Sequence, residues 1–323
     1  MSDFKNKSKD MDPEEAFSTP IYYVIAAVYA VLTVTAFSLN TLVIWAFVKD
    51  RTLRTRSNRL ILSIAVGDWL HAVLAYPFGV VRNASQSWRM SGGACTWYAF
   101  VTSFLSFGIM LHYATFSIER AITINFSVAL FFMERKLDLV IGGLWLFAFL
   151  WSLFPLFGWS AYAPEGAGVC CSIRWQSSNP LDITFVACIF LFFFFGPIVT
   201  MAIAYYSIYS NMRKITLNAH GLWGENAAPT KEAIQAESKI ARMAFVMSIS
   251  FLFAWTPYAV LSLYAIINKP EDITPLVATL PSLFAKTAAC YNPVIYFLSY
   301  KKFRESLGQT LRRERKASAE SRI

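Results

Sequence analysis

The sequence has few charged residues and few residues that could hold a metal ion. Only 15% of its 323 residues are charged, whereas 56% are hydrophobic. Because a soluble globular domain has about 25% charged residues, this composition excludes an ordinary soluble domain. The three histidines are scattered along the chain without the spacing that metal ligands require, so we predict no metal site.

Cysteine is also scarce, with five in the chain. Cys188 and Cys290 lie inside apolar segments, where a cysteine usually packs as a small apolar residue. Cys95, Cys170 and Cys171 lie where the chain is predicted to face an oxidising compartment, which favours a disulfide. The chemistry of these residues leaves open which of the adjacent pair, Cys170 or Cys171, is bonded to Cys95.

Long apolar runs are what the sequence does contain. A helix needs about 20 apolar residues to cross a bilayer, and lipid cannot satisfy the backbone groups of an open strand. Seven runs are long enough, and we number them spans 1 to 7: residues 21–48, 60–81, 94–118, 137–157, 181–209, 244–267 and 273–298. The sequence therefore predicts an all-α membrane protein with one seven-transmembrane domain at residues 20–300. Residues 1–19 form an extracellular tail in this prediction, and residues 301–323 a cytoplasmic amphipathic helix and tail.

The lysines and arginines are distributed unevenly between the two ends of the spans. If the N-terminus is extracellular, 20 of the 29 basic residues lie in cytoplasmic segments and seven in outer segments. The positive-inside rule then predicts an extracellular N-terminus and a cytoplasmic C-terminus. The net charge of +9 follows largely from this bias, so it indicates membrane lipid as a partner and no nucleic acid. The polar first 19 residues lack the apolar core of a cleavable signal peptide, and we expect span 1 to act as the insertion signal.

Three Asn-X-Ser sequons occur in the chain, at Asn6, Asn83 and Asn125. The third is predicted to be cytoplasmic and the second lies at the rim of span 2, close to the bilayer. Asn6, in the extracellular tail, is therefore the predicted glycosylation site.

A charge at the centre of the bilayer costs about 2.5–3.5 kcal/mol, so each ionisable residue there needs a reason. We consider Asp68 and Lys286 within spans 2 and 7, and Glu119 and Arg120 at the inner end of span 3. Asp68 in span 2 can be interpreted as a hydrated structural carboxylate. Arg120, next to Glu119 at the inner end of span 3, can be interpreted as a residue that snorkels to the interface. Lys286 in span 7 lies too deep to snorkel and has small neighbours that leave space beside it. A buried lysine is readily deprotonated and can condense with an aldehyde; the alternative is a lysine paired with an acid such as Asp68.

These residues together resemble the rhodopsin-type family of G-protein-coupled receptors, and within it the animal opsins. The motifs appear in the family's order over almost the whole chain: Asn40 in span 1, Asp68 in span 2, Cys95, Glu119 and Arg120 in span 3, Trp145 in span 4, Pro197 in span 5, Phe251 and Trp255-Thr256-Pro257-Tyr258 in span 6, and Asn292-Pro293-Val294-Ile295-Tyr296 in span 7. Each motif is weak alone, but the set in register is specific. Lys286 matches the family's retinal-attachment position, and residues 158–166 are similar to the loop that covers the retinal in opsins.

The resemblance implies a light-sensing receptor in the plasma membrane. Lys286 would hold 11-cis or all-trans retinal covalently as a Schiff base, and photoisomerisation would activate a heterotrimeric G protein. Arrestin and a receptor kinase would be further partners. The chain would not be an enzyme.

The resemblance also implies the disulfide and the counterion. Alignment of the outer loop predicts the pair Cys95–Cys171 and leaves Cys170 free. Tyr98 stands where vertebrate visual pigments have a counterion glutamate, and a tyrosine is neutral at physiological pH. A protonated Schiff base needs a nearby anion to keep its pKa high, so we expect Glu165 to be the counterion, as in invertebrate and non-visual, bistable opsins. The alternative for Glu165 is a solvated loop carboxylate.

The walls of the retinal pocket are expected to be apolar along the polyene. The positions that match the family's pocket are Tyr98, Thr102, Ser103, Ser106, Phe190, Phe193, Phe194, Trp255, Tyr258 and Ala285. In the phenylalanine-rich part of span 5, Phe190 and Phe194 are four residues apart and share a helix face, so they are favoured over Phe193.

An activation switch is implied at the inner end of the bundle. Arg120 is expected to pair with Glu119 and, in the inactive state, with Glu237, while Tyr205 and Tyr296 close beneath it on activation. The residues assigned to the switch are Asp68, Glu119, Arg120, Tyr205, Glu237, Asn292, Pro293 and Tyr296.

Two rival functions remain. A light-driven retinal isomerase similar to retinochrome is favoured by residues 168–171 and by Ala121, which replaces the usual aromatic residue after the Glu-Arg pair. The intact switch residues favour a signalling receptor, because an isomerase needs none of them. A receptor for a diffusible ligand would explain neither Lys286 nor the loop around Glu165.

Overall fold

The computed structural model describes residues 17–85, 92–125, 136–166, 168–222, 228–268 and 273–320. Its α-helices are α1 (Thr19–Lys49), α2 (Arg56–Leu74), α3 (Tyr76–Ser85), α4 (Gly92–Asn125), α5 (Leu137–Leu153), α6 (Pro180–Phe190), α7 (Gly196–Leu222), α8 (Ala228–Asn268), α9 (Pro275–Lys286), α10 (Ala288–Ser299) and α11 (Lys301–Glu320). Short 3₁₀ turns lie at Arg51–Leu53 and Phe154–Phe157, and a π-helical turn lies at Leu191–Phe195. Strands β1 (Tyr162–Glu165) and β2 (Cys170–Ile173) form an antiparallel hairpin.

The helices form the seven spans that the apolar runs predict. Spans 1, 3, 4 and 6 are α1, α4, α5 and α8, while spans 2, 5 and 7 each combine two helices: α2 with α3, α6 with α7, and α9 with α10. Among the described residues, six helical spans are long and apolar enough to cross a membrane. The seventh consists of two 12-residue helices that meet at Thr287.

Large apolar side chains cover the outside of the bundle. Val24, Leu139, Ile203, Phe253 and Leu298, on five different spans, are each at least 63% exposed. An apolar surface of this extent would be unusual in water but matches a lipid environment. The chain is therefore a multi-pass membrane protein, with α11 following the last span.

Prolines account for two of the places where a span departs from a continuous helix. In span 2, Pro77 stands in the first turn of α3, where its missing N–H is tolerated, and it cannot continue the hydrogen bonding of α2. In span 5, Pro197 cannot donate to the carbonyl of Phe193. The turn before it is π-helical, and Gly196 donates its N–H to the carbonyl of Leu191.

The irregularity of span 7 leaves backbone carbonyls that other spans satisfy. Pro293 has no N–H for the carbonyl of Ala289, which instead accepts a hydrogen bond from Asn40 Nδ2 at 3.0 Å. The break at Thr287 frees the carbonyl of Lys286, which accepts from the Tyr76 hydroxyl at 3.0 Å. Buried carbonyls need such partners, so spans 1 and 2 hold span 7 at the level of Lys286.

The β-hairpin covers the outer end of the bundle, which we define as the end that carries the Cys95–Cys171 disulfide. This disulfide joins β2 to the start of span 3, as the resemblance implied, and Cys170 is a free, buried cysteine. In the register of the hairpin, Glu165 lies opposite Cys170. The disulfide therefore fixes the strand that packs beside Glu165.

Two side chains of span 2 hold the turn of the hairpin. Arg82 Nε donates to the carbonyl of Gly168 at 2.8 Å, and Asn83 Nδ2 donates to the carbonyl of Val169 at 3.1 Å. Asn83 is fully buried, so its amide nitrogen is not accessible for glycosylation. Asn6, the predicted glycan site, lies outside the described residues.

The inner end of the bundle is defined by Arg120. Helix α7 continues to Leu222 and α8 begins at Ala228, so the chain between spans 5 and 6 is helical on both sides of residues 223–227. Helix α11 follows span 7 and buries Phe303 and Leu307. These contacts agree with the amphipathic helix expected after span 7.

Candidate functional site

A cavity of about 150 Å³ lies between spans 3, 5, 6 and 7, beneath the β-hairpin. Ten residues assigned to the site from the sequence line it: Thr102, Ser103, Ser106, Glu165, Phe190, Phe194, Trp255, Tyr258, Ala285 and Lys286. Its walls are mostly aromatic and aliphatic, whereas its carboxyl group, Glu165, comes from the hairpin and its amine, Lys286, from span 7. The cavity therefore combines a long apolar wall with one amine and one carboxyl group.

Phe193 also lines the cavity, although the helical spacing favoured Phe190 and Phe194 alone. The π-helical turn at Leu191–Phe195 explains this, because it places more than 3.6 residues in one turn. Phe190, Phe193 and Phe194 consequently share the inner face. Phe193 is buried and its ring stacks on Phe107 with centroids 4.3 Å apart.

Tyr98 is not among the described residues that line the cavity. Its hydroxyl forms a hydrogen bond with the hydroxyl of Tyr29 at 2.9 Å, and both rings are fully buried. Span 1 thus provides the hydrogen-bond partner of Tyr98.

Lys286 lies at the end of α9 and is 7% exposed. Its Nζ donates to Ser282 Oγ at 2.8 Å and to the carbonyl of Ser282 at 3.0 Å. The Ser282 hydroxyl donates in turn to Glu165 Oε2 at 3.3 Å. Ser282 therefore bridges the amine and the carboxylate, which was not predicted, although its place four residues before Lys286 puts both on one helix face.

Glu165 is buried at the end of β1 and is 3% exposed. The indole Nε1 of Trp175 donates to Glu165 Oε1 at 3.0 Å. Burial raises the pKa of Glu165, while the charge of Lys286 and hydrogen bonds from Tyr258, Trp175 and Cys170 act in the opposite direction. The alternative of a solvated loop carboxylate does not fit this burial.

Arg120 is 2% exposed and forms two ion pairs at the inner end of the bundle. Its Nε lies 2.6 Å from Glu119 Oε2, and its Nη1 lies 2.6 Å from Glu237 Oε2 on span 6. Ser57 on span 2 accepts from Arg120 and donates to Glu119 Oε1 at 3.1 Å. Arg120 is thus paired inside the bundle and does not snorkel to the interface.

The remaining switch residues lie between the cavity and Arg120. Asn292 Nδ2 donates to Asp68 Oδ2 at 2.7 Å, and the Tyr113 hydroxyl donates to Asn292 Oδ1 at 2.9 Å. Asp68 is thus held by Asn292, and it forms no ion pair with Lys286, which is likewise described. The Tyr205 hydroxyl lies 3.3 Å from Ser248 Oγ.

Tyr296 is 1% exposed, and its hydroxyl has no hydrogen-bond partner among the described residues. A buried hydroxyl without a partner costs about 1–3 kcal/mol, so the arrangement around Tyr296 would gain from any movement that brings a partner. Pro293, one turn before it, lies inside α10.

Comparisons with known proteins agree with this architecture. Residues 39–296 match the family model described as "7 transmembrane receptor (rhodopsin family)". A solved structure, the crystal structure of squid rhodopsin, aligns with a TM-score of 0.84 and 29% identity and covers 95% of this chain and 91% of that one.

Curated relatives include melanopsin of Phodopus sungorus, 30% identical over 90% of this chain and 62% of the relative. They also include rhodopsin of Enteroctopus dofleini, 29% identical over 94% of this chain and 70% of the relative. The chain spans about three fifths of the length of the first melanopsins it matches.

Proposed function

Since the chain belongs to the rhodopsin family of seven-transmembrane receptors, and within it to the animal opsins, we propose that it binds retinal covalently and activates a heterotrimeric G protein in response to light. The observation that carries the proposal is the position of Lys286. Its amine reaches an apolar cavity and is joined through Ser282 to a buried carboxyl group.

The residues of the cavity fit a long apolar aldehyde with one reactive end. The phenylalanines of span 5 and Trp255 of span 6 would hold the apolar part of this aldehyde. We propose that the aldehyde is 11-cis or all-trans retinal. Lys286 would attach the aldehyde as a Schiff base. Retinal supplies the absorption of light and a change of shape within the pocket.

Glu165 is the proposed counterion. It is buried beside Lys286, and its hydrogen-bond donors are neutral, so one negative charge faces one positive charge. The carboxylate belongs to the hairpin, which the disulfide holds, and need not move with span 3 or span 6. We therefore propose a photoproduct that keeps its proton and its retinal, which is the bistable behaviour expected of this opsin type.

The inner network would hold the inactive state. Trp255 lines the cavity, and its ring stacks on Phe251 with centroids 5.8 Å apart, so a change in the cavity reaches span 6. Span 6 also carries Glu237, the partner of Arg120. Separation of this pair would free Arg120 for a G protein, and the bias between the two states must come from their different contact energies.

The other assignments extend the same proposal. The N-terminus would be extracellular with a glycan at Asn6, the chain would lie in the plasma membrane, and arrestin and a receptor kinase would be its further partners. Melanopsin and rhodopsin are receptors and not enzymes, so the relatives do not favour the retinochrome-like isomerase.

The test is reconstitution of the full chain in the dark with 11-cis and with all-trans retinal, followed by nucleotide exchange on a panel of G proteins. We expect a visible pigment that requires Lys286 and exchange that requires light. A pigment that isomerises retinal but drives no exchange on any G protein would contradict the receptor function.

A further inference from the structure

Cys170 and Cys171 are consecutive residues of β2, so their side chains point to opposite faces of the strand. Cys171 is bonded to Cys95 on span 3. Cys170 is free, 1% exposed and, among the described residues, not part of the cavity wall. The function proposed above gives this buried thiol no role.

The thiol contacts the two groups that connect Lys286 to its carboxylate. Cys170 Sγ lies 3.6 Å from Glu165 Oε2, to which it donates, and 3.6 Å from Ser282 Oγ. Glu165 Oε2 also accepts from Ser282, while Oε1 accepts from Trp175. The hairpin register pairs Glu165 with Cys170, so the two side chains lie on the same face of the hairpin.

Cys170 is a neutral donor in this environment. Burial raises its pKa to about 11, so the sulfur keeps its proton at neutral pH. The titratable groups that interact with it are Glu165, Lys286, Tyr29, Tyr98 and Tyr258. Lys286 is the one cation among them.

We propose that Cys170 is a positioning residue that sets the strength of the Glu165 counterion through a weak S–H hydrogen bond, and thereby the wavelength of the pigment and the pH at which its Schiff base loses its proton. This inference rests on the proposed function for its effect on the pigment, but the hydrogen bond itself does not.

The physical reason is that a donor shares the charge of the carboxylate. A thiol is a weaker donor than a hydroxyl, so it leaves more negative charge on Glu165 to face the Schiff base. Excitation of retinal moves positive charge away from the nitrogen. A stronger anion at the nitrogen therefore shifts absorption to shorter wavelength, and the Schiff base stays protonated to a higher pH.

The first experiment uses the protein without retinal. In the full chain with Cys188→Ser and Cys290→Ser, Cys170 is the single thiol, because the other two of the five cysteines form the disulfide. Its S–H infrared stretch should move to higher frequency when Glu165→Gln removes the charged acceptor. An S–H band that is unchanged by Glu165→Gln, or that moves only with Ser282→Ala, would overturn the proposal.

The second experiment compares pigments with serine or alanine at position 170. Cys170→Ser introduces a stronger donor and should shift absorption to longer wavelength, and the midpoint pH of the visible-to-ultraviolet titration should fall by on the order of one unit. Cys170→Ala removes the donor, so absorption should shift to shorter wavelength and the midpoint pH should rise. Cys188→Ser, a free cysteine of span 5, is the matched control and should change neither.

Shifts in the same direction in both variants would indicate a packing effect and would overturn the proposal, as would spectra and titrations equal to those of the wild type. If the wild-type protein forms no pigment at all, the proposed function fails. The infrared result still decides whether the thiol donates to Glu165.

Discussion

Arg120 of span 3 and Glu237 of span 6 form an ion pair in which Nη1 lies 2.6 Å from Oε2. The arginine is almost completely buried, whereas the glutamate side chain is 41% exposed. The pair therefore lies at the border between the bundle and water, where one partner can leave without moving the other. This position suits a contact that breaks when span 6 moves.

Glu237→Gln should raise G-protein activation in the dark. The variant loses the ion pair that stabilises the inactive state. This destabilises the inactive state by only about 1–2 kcal/mol, because water reaches Glu237 and screens the pair. This corresponds to about a 5- to 30-fold change in the ratio of the two states. The measurement is nucleotide exchange in the dark. The control is Glu305→Gln, which removes a charge from an exposed ion pair with Lys301. Unchanged dark activity at equal expression would count against the restraint.

Lys286→Ala should express and fold but form no visible pigment with either retinal isomer, because the attachment amine is gone. Borohydride reduction of the wild type should trap retinal on the peptide that contains Lys286. Lys302→Ala, an exposed lysine of α11, should leave the spectrum unchanged. Recovery of retinal on a different lysine would end the assignment.

Cys95→Ala should strongly destabilise the protein because it removes the disulfide to Cys171. The free Cys170 cannot form a replacement, since the cysteine of span 3 is the one that is missing. The disulfide joins residues with a sequence separation of 76, for which the chain-entropy model gives about 4.5 kcal/mol. Thermal denaturation in detergent and surface expression are the measurements. Cys188→Ala, which removes a free cysteine, should behave like the wild type.

Gly108→Ala should lower the thermal midpoint because the new methyl group would collide with the Trp145 ring. The ring cannot easily withdraw, since its Nε1 donates to Ser63 Oγ at 2.8 Å. Overpacking of this kind costs about 1–3 kcal/mol. Gly142→Ala on span 4 meets no atom within 4 Å and should leave the midpoint unchanged. Equal midpoints for the two variants would show that span 4 adjusts freely.

The seven spans could be predicted from the sequence because membrane insertion demands long apolar runs. The first predicted span, residues 21–48, differs from α1 by only two residues at its start and one at its end. The breaks in spans 2, 5 and 7 could not be placed from the runs. The break in span 7 depends on which carbonyls find partners on other spans, as the Lys286 carbonyl does with Tyr76.

The wall of the cavity could be predicted from motif positions, but its polar connections could not. Trp175 lies in the chain after β2, outside any periodic pattern, and reaches Glu165 only because the hairpin folds over the bundle. The partner of Tyr98, Tyr29, is 69 residues away on span 1. Ser282 is the exception, since its spacing from Lys286 was available in the sequence.

Glu165→Gln tests the counterion directly. Glu165 is buried beside Lys286, and the glutamine has nearly the same shape and no charge, so the packing of the hairpin should survive. Loss of an anion disfavours the protonated Schiff base and lowers its pKa, and each pH unit in the midpoint of the Schiff-base titration corresponds to about 1.4 kcal/mol. The variant should therefore absorb in the near ultraviolet at neutral pH and regain visible absorption on acidification or when a small anion enters. The wild type should keep its visible absorption between about pH 5 and pH 9, and its photoproduct should revert with a second photon.

The control is Asp182→Asn. Asp182 is an outer acid that pairs with Arg174 and does not line the cavity, so this variant should keep the wild-type spectrum. A Glu165→Gln spectrum that does not change over this pH range, or a wild-type photoproduct that releases free retinal within minutes, would show that Glu165 is not the counterion.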